Sequence, residues 1–114
     1  MRTVRGEVVF PHTAQPMLAR RLVIEISDVS LADTSSVLLA AAEIPELAIE
    51  PGLRVPFTLA EVPEGAPSAM LAARAHADVE GSGGFSAGDL LTTVHVPVPV
   101  SGNVDRLEVP VTPI

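Results

Sequence analysis

Apolar and polar residues alternate with period two in one segment after another, and this pattern decides the fold class. In 21–29 (RLVIEISDV), Leu22, Ile24 and Ile26 point one way, while Arg21, Val23, Glu25 and Ser27 point the other. That is a strand with one buried face. Segment 69–79 (AMLAARAHADV) is a harder test, because its Ala-rich composition suits a helix. Its period is still two: Leu71, Ala73, Ala75, Ala77 and Val79 share one face, and Arg74, His76 and Asp78 the other. A helix would scatter those charges around its circumference, so the period predicts a strand. The inward alanines are small, so bulk is expected from Phe57, Ile24 or Leu22.

Further strands are read at 3–10, with Val4, Gly6, Val8 and Phe10 on one face, and at 53–60, with Leu53, Val55, Phe57 and Leu59 inward. Pro56 removes a ladder donor, so the 53–60 strand is expected to have a free side there. Segment 90–100 (LLTTVHVPVPV) aligns Val94, Val96, Val98 and Val100, with Pro97 and Pro99 on the other parity. Both missing amides lie along one side, which predicts an edge strand defended against pairing. Segment 104–111 closes the chain with Leu107, Val109 and Val111 inward. Segment 35–44 (SSVLLAAAEI) fits a strand or a capped helix; its place among strands favours the strand, and Pro45 is expected to end it. Pro11–Pro16, 61–68 and the GSGG run at 81–84 read as turns, and the last suggests a hairpin with 87–96 returning.

Seven strands spaced by turns, within 114 residues, predict one all-β domain over 1–114, a seven-stranded Greek-key β-sandwich. Only 3% of residues are aromatic, and the net charge is −7. Stacking platforms and a basic face are both lacking, so no nucleic-acid partner is expected. There is no Cys, which excludes disulfides, zinc-thiolate sites and a thiol nucleophile. All bases are Arg, and four of them (Arg2, Arg5, Arg20, Arg21) fall in the first 21 residues, against Glu7 alone. Cross-strand pairing with the acidic remainder is the simplest use for that asymmetry. The longest apolar run, 37–42, is too short to span a bilayer, so no membrane insertion is expected.

The runs VRGEVVFP (4–11), LVIEISDVSLADTSSVLLAAAEI (22–44) and PGLRVPFTL (51–59) resemble the YbaY-like and YscW-type lipoprotein domain family. DVSLAD (28–33), directly after an apolar strand, is the most specific piece, and the likeness runs through nearly the whole chain. The resemblance implies a transthyretin-like β-sandwich of the bacterial envelope, some members being pilotins of type III secretion systems. The sequence departs from that pattern in having no signal peptide and no lipidated Cys. The chain as it stands is therefore expected in the cytoplasm, and in the cell envelope if it is a domain of a longer protein.

Chemistry-bearing residues are sparse. His76 and His95 flank the 81–84 turn; a hairpin centred there sets His76 opposite residues 90–95, with Asp78 nearby. Two imidazoles and a carboxylate form a minimal divalent-metal set. The plainer reading is a pair of solvent-facing histidines. Asp28 and Asp33 bracket VSL, either as a loop cation site or as turn-shaping acids that bond nearby amides. Ser27, Ser30, Ser35 and Ser36 have no neighbouring His in sequence and no nucleophile elbow, and GSGG lacks the Lys of a phosphate loop. The expectation is a non-enzymatic, cofactor-free binding or chaperone-like module. It would be a monomer or weak homodimer that meets a protein partner through sheet edges, including that of the Arg-rich first strand. The alternative is a small-molecule or divalent-metal-binding domain.

Overall fold

The computed structural model describes residues 1–30 and 36–114. Asp33, Thr34 and Ser35, and with them the Asp28–Asp33 pair, lie partly or wholly outside the described residues. Among the described residues there is no helix, and nine strands form two sheets: β1 (Arg2–Val9), β2 (Met17–Asp28), β3 (Val37–Ile49), β4 (Arg54–Val62), β5 (Leu71–Asp78), β6 (Leu90–Leu91), β7 (Pro97–Val98), β8 (Val104–Pro110) and β9 (Thr112–Pro113). Sheet A has the order β4-β1-β8; sheet B runs β3-β2-β5-β6-β9, with β7 also paired to β5. The two sheets pack as a sandwich.

The period-two faces account for the core. Val4 and Val8 of β1 and Val55, Phe57 and Leu59 of β4 meet Leu22, Ile24 and Ile26 of β2 and Ala73, Ala75 and Ala77 of β5 in one buried cluster. Full burial of each large side chain is worth about 1.5–3 kcal/mol. Leu22 and Ile24 lie directly beside Ala77 and Ala75 in the same sheet, rather than facing them as expected; Phe57 supplies bulk from the opposite sheet. Segment 69–79 is a strand despite its composition, because β2 pairs with it from Arg21↔Asp78 to Asp28↔Leu71.

Four expectations are corrected. The Arg-rich first strand is not an edge: β1 sits between β4, antiparallel, and β8, parallel. At this close crossing a Cβ on Gly6 would run into the Leu107 carbonyl. Pro45 does not end β3, which continues to Ile49 with Glu46 at φ 56°. β3 borders sheet B, where a residue without N–H is tolerated. Segment 90–100 is two short pairings rather than one strand, since the chain leaves β5 between Leu91 and Pro97. Finally, the chain changes sheets at buried Val111, whose N–H bonds Val9 O, before β9 joins β6. Seven expected strands thereby become nine shorter or longer pieces. The expected free side at Pro56 is present, as β4 is the border of sheet A.

Candidate functional site

The outward residues of sheet B form transverse rows: Leu38–Ser27–Ala72–Pro97, then Ala41–Glu25–Arg74, then Glu43–Val23–His76–Leu91, then Pro45–Arg21–Asp78. An antiparallel ladder places such neighbours about 5 Å apart on one face. His76 and Asp78 are therefore on the polar face, as their parity requires. They are nevertheless buried, because the loop 79–89 folds back over them.

Two carboxylates tie that loop down. Asp78 Oδ1 accepts from Gly81 N (2.9 Å), and Oδ2 accepts from Gly83 N (2.9 Å) and Arg21 Nε (3.0 Å). Gly81 and Gly83 both have positive φ (74° and 86°), a backbone state that glycine adopts at no steric cost. Asp89 Oδ1 accepts from Val79 N (3.1 Å), and Oδ2 accepts from Ser86 N (3.1 Å) and lies 2.7 Å from His76 Nε2. A carboxylate accepts and does not donate, so Nε2 carries the shared proton. Burial pushes the Asp78 carboxyl up, but the bonds from Gly83, Arg21 and Gly81 and the charge of Arg21 outweigh it and hold the group below the usual carboxylate range. The Phe85 ring stands edge-on to His76, centroids 4.8 Å apart, and the Arg74 guanidinium lies 5.3 Å from the Phe85 centroid.

His76, Asp78 and Asp89 each offer a ligand atom within 4.8 Å of the others. Every carboxylate oxygen of the group already accepts an N–H, so a cation would have to displace the bonds that hold the loop. His95 is not among them. Leu91, not His95, lies opposite His76, and His95 is exposed on the excursion between β6 and β7. His76 is not solvent-facing either. The loop cover, which strand parity cannot show, is what buries it. Asp89 was not singled out from the sequence; the signal available was an acid three residues after a serine in a Gly-rich turn, directly before the apolar Leu90-Leu91. Asp28, for its part, shapes a turn: Ser30 N (2.9 Å) and Ser30 Oγ bond its carboxylate, and Ser30 Oγ accepts from Met70 N at 2.8 Å.

Beside this latch runs a groove of about 320 Å³, opened where 92–96 departs from β5. Ala72 and Ala73 line it, together with Ser27, Arg74, Val94 and His95. Val94 is 59% exposed, and the exposed Phe85 lies against the lining Arg74; the Met70 backbone carbonyl accepts from N of Val29, another lining residue. The outer face of sheet A is different. There Arg54 bridges Glu7 (3.4 Å) and Glu108 (2.8 Å), and Arg5 pairs with Asp105 (3.7 Å). Arg5–Asp105 here and Arg21–Asp78 on sheet B are the cross-strand pairs expected from the charge asymmetry; Arg54 lies outside the Arg-rich first segment.

No family model matches the sequence, and no curated protein matches it. Among solved structures, the chain is similar to an alternative pilotin from the type II secretion system of Vibrio cholerae. The TM-score is 0.65 at 16% identity, with 96% of each chain covered. The likeness is one of fold, and it spans the whole sandwich. A pilotin-like fold is what the sequence resemblance implied, although this neighbour serves a type II system rather than a type III system.

Proposed function

We propose that the chain is a non-enzymatic binding module that accepts an apolar segment of a partner protein in the groove on the outer face of sheet B. The observation that carries this reading is the groove itself. Its alanine lining permits close approach; the exposed Val94 lines it, and the exposed Phe85 lies against its Arg74. The outer face of sheet A holds a larger cleft of about 670 Å³, but charged side chains dominate its lining: Arg5, Glu7, Arg54, Asp105, Arg106 and Glu108. The likeness of fold to a secretion-system pilotin supports the reading. His76 supports it too: its Nε2 is engaged by Asp89 beneath a loop, a positioning role rather than that of an exposed base. We also read the topology as a transthyretin-like Greek key, on the strength of the parallel β1–β8 pair and the β3-β2-β5-β6 order.

The chain has no Cys, so Val94→Cys creates a unique attachment point for a photo-cross-linker, with exposed Thr58→Cys on sheet A as control. In extract of the cells that make the protein, position 94 is expected to capture one discrete protein that position 58 does not, and Val94→Asp to abolish its co-purification. Identical products from both positions, or none from position 94, would reject the reading.

A further inference from the structure

The borders of the two sheets differ in how they are protected. β4 carries Pro56 and Arg54; β8 carries Asp105, Arg106, Glu108 and Pro110; β7 carries Pro97; β9 carries Pro113. Such residues keep an open edge from pairing. Among the described residues, the first half of β3, VLLAAA over 37–42, is the border stretch with neither proline nor charge, and Val37 and Leu38 are both more than half exposed.

One irregularity interrupts it. Ile26 pairs with Ala40 and Ser27 with Leu38, so Leu39 is an extra residue, a bulge. A bulge shifts strand parity by one. Leu38 and Ala41, three apart, therefore both lie on the outer face, opposite Ser27 and Glu25. A regular strand laid along this border would lose its register at Leu39. A strand with the same bulge would keep it.

We propose that β3 pairs antiparallel with the β3 of a second copy of this chain, about a two-fold axis between Leu39 and Ala40. In that register Leu38 faces Ala41, Val37 faces Ala42 and Leu39 faces Ala40, each large side chain against a small one. Ser36 faces Glu43, so no like charges meet. The facing residues share a face only because the bulge is present in both copies. The contact is small, well under the about 1,200 Å² of a stable interface, so the dimer is a weak one that forms and separates readily. It uses the border of sheet B, which meets the groove only at Ser36, and does not depend on the function proposed above.

Sedimentation equilibrium of the full chain up to about 1 mM tests it. The wild type is expected to gain mass toward a dimer across that range. In Leu38→Glu/Ala41→Glu, each Glu faces a Glu of the other copy, and association is expected to fall at least about tenfold. In Leu38→Lys/Ala41→Glu, each Lys faces a Glu; association is expected to return at low salt and fade as salt is raised. A wild type that stays monomeric throughout, or two double variants that behave alike, overturns the proposal. Capture of a different protein at position 94 would leave the groove reading standing in either case.

Discussion

His76 Nε2 and Asp89 Oδ2 lie 2.7 Å apart beneath the 79–89 loop, joining the end of β5 to the residue just before β6. The bond links residues on either side of a Gly-rich turn that Asp78 also holds, through the amides of Gly81 and Gly83. Asp89 also receives the amides of Val79 and Ser86, so a single carboxylate fixes both the departure and the end of the loop.

Asp89→Ala leaves those two amides and the imidazole without their acceptor. Buried donors stripped of a partner cost about 1–3 kcal/mol each at most, and partial rehydration of an opened loop lowers the sum. A loss of about 2–4 kcal/mol by urea denaturation is expected, with faster hydrogen exchange of the amides at 79–88. A stability within about 0.5 kcal/mol of wild type would show that the loop is held by other means.

Acid sensitivity should trace in part to Asp78. Its folded pKa is depressed, so its contribution is full above the unfolded value of about 4 and is lost as pH falls through the folded value. Asp78→Asn is expected to be less stable than wild type at neutral pH and to lose less on acidification below about pH 4. Parallel pH slopes for the two proteins, from denaturation at a series of pH values, would count against this. Asp28 is held low by the Ser30 hydroxyl and amide, so some acid dependence remains in the variant.

Gly6 and Gly84 should respond in opposite ways to alanine. A Cβ on Gly6 meets the Leu107 carbonyl and must push β8 from β1; a Cβ on Gly84 meets nothing within 4 Å. Gly6→Ala is expected to cost about 2 kcal/mol or more, and Gly84→Ala to stay within about 0.5 kcal/mol. Thermal unfolding of the two variants side by side is sufficient.

Arg2 is 4% exposed; Nη1 donates to Gly102 O at 3.2 Å, while Nε and Nη2 have no partner among the described residues. A guanidinium stays charged, and burying it without a counter-ion is unfavourable. Arg2→Met keeps most of the volume and removes the charge. It is expected to raise stability by about 1–2 kcal/mol, read as a higher denaturation midpoint. A drop of similar size would mean that the Gly102 contact outweighs the desolvation cost.

The sequence by itself determined the all-β class, the inward residues of β1, β2, β4 and β5, and the free sides marked by Pro56 and Pro97. Each of these follows from side-chain parity or from a missing N–H, properties that a residue carries with it wherever it lies. It also held β5 as a strand against its alanine content, because charges at every second position leave a helix no apolar face.

Only the tertiary structure decided that β1 is not a border, since pairing partners are set by contacts remote in sequence: β1 lies inside sheet A because β8 returns parallel to it. Parity put His76 and Asp78 on the polar face correctly, yet could not reveal that a loop covers that face. That cover turned two expected surface residues into a buried latch, brought in Asp89, and left His95 apart. The bulge at Leu39 was equally invisible, because an extra residue shows only against the register of the neighbouring strand.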